Sequence, residues 1–252
     1  SIPFNIVSCP SEVPTVFPRP TVLIMVSNLY TTLTSLIFLA LIFIATLLFS
    51  GRGYADPSPT APDTGTVLVF GDSVSAAYGM EQEQGWVYLL TKRLASKELD
   101  YQVINASVSG ETTGGGVVRL PKTLQIHQPN LVVLELGGND GLRGYPIDKI
   151  RQNLSVMVDS ILTSGADVLL VGMVLPPNYG RRYTKAFEDL FAQVATQFDI
   201  PFLPFLLEGV ATSESLLQRD GIHPTPEAQA MLLDDLWPLL EAELTPKGSG
   251  QQ

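Results

Sequence analysis

Short apolar runs alternate with longer amphipathic ones from residue 66 onward, and this alternation is the tightest constraint on what the chain can fold into. The runs Val67–Phe70, Tyr101–Ala106, Leu131–Leu136, Asp167–Val174 and Pro201–Phe205 have the length and apolar content of strands. Between them, Gly85–Leu99, Thr112–Gln125, Ile147–Thr163 and Arg182–Phe198 have helical spacing or length, and Pro226–Leu244 closes the series. Gly114, Gly115, Gly116 and Pro121 weaken the second of these helices. Most of the strands are continuously apolar, so they are expected to lie in a parallel sheet covered by helices on both faces.

Such sheets bind ligands beyond the carboxyl ends of their strands. Ser73, Gly110 and Asn139 each fall just past the end of a different run and can therefore meet at one edge. Ser73 follows Val67–Phe70 through Gly71-Asp72, where Gly71 permits a sharp turn. A serine hydroxyl there can act as a nucleophile only with a base in reach, an orienter for that base and donors for an oxyanion. Gly-Asp-Ser is also ordinary turn chemistry, because Asp and Ser bond their own backbone. Two other motifs are excluded. Ser75 stands where a Gly-x-Ser-x-Gly elbow needs its second glycine, and no Gly-Lys-Ser/Thr phosphate loop follows.

The chain has two histidines, so a candidate imidazole base has only two positions. His223 lies in Asp220-Gly221-Ile222-His223-Pro224, where Asp220 can fix the tautomer of the ring while its other nitrogen faces Ser73. The bland alternative is a turn aspartate beside a surface histidine. His127, at a helix end before a strand, reads as a solvated residue at the opposite edge of the sheet. Gly110 can bring its backbone N–H close to a substrate oxygen, and Asn139 can add a side-chain donor. Their bland alternatives are a turn and a left-handed cap.

Taken together, Gly71-Asp72-Ser73, Gly110, Gly138-Asn139-Asp140 and Asp220-x-x-His223 resemble the four blocks of the SGNH (GDSL) hydrolase superfamily. The likeness runs from about Thr66 to Leu240, through Leu134–Gly144 and Asn178–Tyr183, and is nearest to its multifunctional bacterial thioesterase/lysophospholipase branch. Val74 stands where the GDSL motif has Leu, at a packing position outside the triad. The resemblance implies a flavodoxin-like three-layer α/β/α sandwich with a five-stranded parallel sheet. It implies Ser73 as nucleophile, His223 as general base and Asp220 as orienter. The oxyanion hole would comprise the Ser73 and Gly110 N–H groups and the Asn139 side chain. Acyl transfer from an ester or thioester would pass through an acyl-enzyme to water, without metal or cofactor. The loop from Leu175 to Tyr183 would border the acyl pocket, with Leu175, Pro176 and Tyr179 as candidate lining residues. A carbohydrate-ester deacetylase on the same machinery and a non-catalytic flavodoxin-like module are the alternatives.

Charge narrows the partners. Of 25 acidic and 15 basic residues, only Glu12, Arg19 and Arg52 precede residue 56, leaving 24 against 13 and a net charge of −11. Such a domain is a poor binder of nucleic acid and of anionic membrane surfaces. The expected partner is a small acyl ester or thioester, and the expected state a monomer. The single cysteine, Cys9, leaves residues 56–252 without disulfide, thiol nucleophile or cysteine metal site. Residues 1–55 read as a leader, with an apolar segment at about 33–50 whose core, Leu36–Phe49, spans 14 residues. Gly53-Tyr54-Ala55 resembles a signal-peptidase site, although no basic residue lies between Met25 and the apolar run. Cleavage near Ala55 would give a periplasmic or secreted enzyme; an uncleaved leader would anchor it, facing the periplasm. Residues 56–65 read as a linker, 66–245 as the catalytic domain and 246–252 as a flexible tail.

Overall fold

A computed structural model describes residues 64–245. The leader, its cleavage site, the linker up to residue 63 and the tail from residue 246 lie outside the described residues. Five parallel strands form one sheet: β1 (Gly65–Gly71), β2 (Tyr101–Asn105), β3 (Leu131–Glu135), β4 (Asp167–Val171) and β5 (Phe202–Leu203). The helices are α1 (Trp86–Ser96), α2 (Thr113–His127), the short α3 (Gly138–Leu142), α4 (Ile147–Thr163), α5 (Arg181–Phe198) and α6 (Gln229–Leu244). The strand order is β2-β1-β3-β4-β5, the flavodoxin-like order, so the winding reverses between β1 and β3.

The three layers follow from strand geometry, because successive side chains point to opposite faces. Leu68 and Phe70 of β1, with Val132 and Leu134 of β3, pack against α2, α4 and α5. Val67 and Val69, with Leu131 and Val133, pack against α1 and α6. Every one of these eight side chains is at most 2% exposed, which accounts for the lack of a polar/apolar alternation in the sequence. Truncating a core leucine of this kind typically costs roughly 2–5 kcal/mol. The two helices of the second face are joined by the buried Gln229, whose side-chain oxygen accepts from Trp86 N at 2.9 Å and so closes the start of α1.

The elements depart from sequence expectation where packing overrides propensity. Helix α2 runs unbroken through three glycines and Pro121. Thr112 caps it by accepting from Gly115 N at 3.2 Å, and a Cβ on Gly116 would come within 2.7 Å of Leu136 and 2.9 Å of Met157. The glycine is therefore the means by which the helix reaches the sheet. Strand β4 ends at Val171 and not at Val174, and β5 holds only two residues. Residues 138–142, for which the sequence shows no helical period, wind into the short α3 after Gly137, whose φ is 127°.

Candidate active site

The site begins where β1 ends. At Gly71 the chain passes so close to Glu135 that a Cβ would fall 2.5 Å from the Glu135 Oε2 and 2.9 Å from Ser75. Beyond it the backbone coils, with Ala76 N donating to the Asp72 carbonyl at 3.0 Å and Tyr78 N to the Ser73 carbonyl at 3.1 Å. Glu135 organises this coil from beneath: its Oε2 accepts from Asp72 N at 3.2 Å and from the Ser75 hydroxyl at 2.7 Å. Ser73, half-buried, is left at the top of the turn.

His223 reaches it from the loop before α6. Its Nε2 lies 2.8 Å from Ser73 Oγ and its Nδ1 lies 2.6 Å from Asp220 Oδ2. Asp220 Oδ1 also accepts from the backbone N–H groups of Ile222 and His223, at 2.9 and 3.0 Å. Partial burial pushes the Asp220 carboxyl up, but the His223 and Ile222 N–H bonds and the nearby imidazole outweigh it and hold the group at about 2. Ionised, Asp220 can only accept, so the proton sits on Nδ1 and Nε2 accepts from the Ser73 hydroxyl. Gln218 clamps the two loops together, donating to the carbonyls of Tyr78 at 2.8 Å and Pro224 at 3.0 Å. The Tyr78 ring lies 4.4 Å from that of His223, centroid to centroid.

The remaining residues converge from β2 and β3. Gly110 has φ 81°, and a Cβ there would meet nothing within 4 Å, so glycine is needed for conformation and not for space. Its loop is tied down by Arg119 of α2, which donates to the Ala106 carbonyl at 2.7 Å and to Glu111 at 2.8 Å. Asn139 sits on α3, its Nδ2 donating to Asp72 Oδ2 at 3.1 Å. Asp140, one residue on, anchors α3 by accepting from Thr113 N and the Thr113 hydroxyl at 2.8 and 2.7 Å.

Ser73, Gly110, Asn139 and His223 all border one cavity of about 690 Å³. One wall is the stretch after β4, including Leu175 and Pro176. The other is the irregular segment after β5, including Phe205, Leu207, Ala211 and Leu217, which sequence reasoning did not assign to the site. Tyr179 is a correction: it is not among the lining residues, because its hydroxyl turns away to donate to the Leu142 carbonyl at 3.0 Å. His127 lies at the end of α2 that feeds β3, opposite the site, and is half-buried there.

Two buried carboxyls were also missed. Asp72 is 3% exposed and Glu135 2%. Burial, only partly offset by bonds from Val74 N and Asn139 and by the neighbouring His223 imidazole, pushes Asp72 up to about 6. Burial, and then the charge of Asp72, push Glu135 well above the usual carboxylate range. The available signal was an acid inside the otherwise apolar run Leu131–Leu136.

The arrangement can carry out acyl transfer: a hydroxyl bonded to an imidazole, the imidazole bonded to a carboxylate, and amide donors beside an apolar cavity. Comparison with known proteins points the same way. Residues 69–231 match the GDSL-like lipase/acylhydrolase family. Esterase TesA of Pseudomonas aeruginosa is 52% identical over 176 residues, covering 70% of this chain and 88% of that protein. The thioesterase 1/protease 1/lysophospholipase of Escherichia coli is 43% identical over 169 residues, covering 67% and 80%. A crystal structure of TesA superposes with a TM-score of 0.70 at 51% identity, covering 71% of this chain and 99% of that one.

Proposed function

The chain belongs to the GDSL-like lipase/acylhydrolase family, and from that premise we propose that it hydrolyses esters and thioesters of fatty acyl chains with Ser73 as nucleophile. The enzyme is a serine ester hydrolase. In the proposed mechanism the Ser73 oxygen bonds to the acyl carbon while its proton passes to His223 Nε2. The carbonyl electron pair moves onto oxygen, where the Ser73 and Gly110 N–H groups and the Asn139 side chain receive it. Collapse of this intermediate expels the alkoxide or thiolate, which takes the proton from Nε2 and leaves an acyl-enzyme. Water then attacks with His223 as base, and the acid is released with Ser73 restored. Asp220 holds the ring and stabilises the imidazolium in both halves.

The observation that carries this reading is the unbroken Asp220–His223–Ser73 chain, at 2.6 and 2.8 Å, opening onto the apolar cavity. Cavity size favours long acyl groups over acetyl: about 690 Å³ falls within the roughly 300–1,000 Å³ of small-molecule sites, and an acetyl group would leave most of it empty. A fluorophosphonate probe should add one equivalent at Ser73, located by peptide mass, and Ser73→Ala should abolish both labelling and p-nitrophenyl octanoate hydrolysis. Retained hydrolysis in that variant rejects Ser73, and faster turnover of acetyl than octanoyl esters rejects the acyl assignment.

The domain of residues 66–245 supplies all these groups from one chain, which supports a monomeric enzyme. Among the described residues no helix is long and apolar enough to cross a membrane. We read the leader as an export signal cleaved near Ala55, releasing the enzyme into the periplasm or medium. The N-terminal sequence of the exported protein tests this, a start upstream of Leu36 being the contrary result.

A further inference from the structure

Asp72 precedes the nucleophile, is buried, and has no part in the mechanism above. Its two oxygens have separate tasks: Oδ1 accepts from Val74 N at 3.1 Å and Oδ2 accepts from Asn139 Nδ2 at 3.1 Å. A carboxylate is the only common side chain of this size that offers an acceptor in both places. The approach is close, since a Cβ on Gly138 would lie 3.3 Å from Asp72 Oδ2. Asp72 cannot easily swing away, because its own N–H is fixed on the fully buried Glu135.

An asparagine amide is nearly symmetric in shape but not in chemistry. Rotated by 180° about its last side-chain bond, it puts an acceptor oxygen where the NH₂ stood. For a group that must donate to a developing oxyanion, one of the two orientations works and the other repels. We propose that Asp72 is a positioning residue whose buried carboxylate selects the donating orientation of the Asn139 amide, taking one N–H proton at Oδ2 and leaving the second for the oxyanion. This rests on the reading of Asn139 as an oxyanion donor. It predicts an effect of an isosteric change that neither fills nor empties space. In Asp72→Asn, Val74 N still requires an acceptor, so the new amide keeps its oxygen there and turns its NH₂ toward Asn139. Two donors then face each other, and the Asn139 amide inverts to relieve the conflict.

A double-mutant cycle on the complete enzyme tests this, with kcat and KM measured on p-nitrophenyl octanoate. Asn139→Ala should lower kcat roughly a hundred- to a thousand-fold. Asp72→Asn should fall in the same range with KM close to the parent value, and the double variant should be no slower than Asn139→Ala alone. Full activity in Asp72→Asn, or multiplication of the two losses in the double variant, overturns the role of Asp72 while leaving the oxyanion assignment standing. An unchanged kcat in Asn139→Ala overturns that assignment, and the proposal with it. A second measurement needs no folded variant of Asp72. In nitrogen–proton correlation spectra of the parent enzyme, the two Asn139 side-chain protons, identified by their absence in Asn139→Ala, should be well separated, with one exchange-protected. Two equivalent, freely exchanging protons overturn the proposal.

Discussion

The pair of buried carboxyls beneath Ser73 should make this enzyme less stable at neutral and alkaline pH than in mild acid. Asp72 moves from its ordinary 3.8 to about 6, which at about 1.4 kcal/mol per unit is about 3 kcal/mol. The folded protein holds this proton more tightly than the unfolded chain. The stabilisation is therefore complete below pH 3.8 and lost as pH rises through about 6. Glu135 is shifted in the same direction and adds to the loss at higher pH. Asp220 works in the opposite sense: its contribution is present above 3.8 and lost as pH falls through about 2. It is confined to stronger acid, and it is smaller because the side chain is 37% exposed and screened by solvent. Urea unfolding at pH 4.5 and pH 8 should show the parent enzyme less stable at pH 8 by about 2 kcal/mol from Asp72 alone, with Glu135 adding to the difference. The charge of the pair can rest on either residue, so Asp72→Asn or Glu135→Gln alone should leave part of the slope, and the double variant should abolish most of it. A slope unchanged in the double variant would refute the reasoning, since the pH dependence would then lie elsewhere in the protein.

Three further perturbations probe the site from other sides. Asp220→Asn keeps the shape of the loop but removes the acceptor that fixes the His223 tautomer, and kcat should fall by about 10⁴-fold with KM little changed; steady-state kinetics at pH 8 checks this. Ala211→Phe fills the wall after β5 from an exposed position, so kcat/KM for dodecanoyl esters should fall at least about ten-fold relative to butyryl esters, and equal losses on both would place the acyl chain elsewhere. Gly71→Ala drives a methyl group into Glu135 and Ser75, costing roughly 1–3 kcal/mol by overpacking, and thermal unfolding should show a Tm lowered together with kcat.

How much of this was legible depended on whether the signal was periodic or directional. Ile147–Thr163 was read from its spacing to the residue, because its apolar face is regular and the helix ends in Thr163-Ser164-Gly165. Val67–Phe70 read as a buried strand because the run is continuously apolar, and in the structure its side chains are buried on both faces. Scarcity pointed to His223, one of two imidazoles, and the structure places it 2.8 Å from Ser73 and 2.6 Å from Asp220, three residues before it. Tyr179 failed because chain position does not give side-chain direction; Leu175 and Pro176 face the cavity, whereas the Tyr179 hydroxyl is taken by the Leu142 carbonyl. The wall from Phe205 to Leu217 went unread because an irregular segment has no period. Helix α2 was doubted for its glycines and Pro121, which weaken an isolated helix but are tolerated where α2 packs against the sheet.

The topology divides the site into a rigid half and an adjustable half, and the hydrogen bonds follow that division. Ser73 and Asn139 issue from β1 and β3, neighbours at the centre of the sheet where the winding reverses, with Gly71 paired to Glu135 in register. Their spacing is set by the sheet and by the Asp72 link between them. His223 and Asp220 follow β5, an edge strand of two residues, and are carried on a long irregular segment. That segment lacks the ladder that fixes the other half, and its position depends on local bonds: the Leu217–Pro224 bridge, Gln218 N on the His223 carbonyl at 2.7 Å, and the Gln218 amide reaching across to Tyr78. The spacing of Ser73 and Asn139 is thus preorganised by the core, whereas the placement of His223 rests on the local bonds of an irregular segment, the Gln218–Tyr78 contact among them. Substitutions of Gln218 should therefore disturb proton transfer well before they disturb stability, whereas substitutions under β1 and β3 should disturb both together.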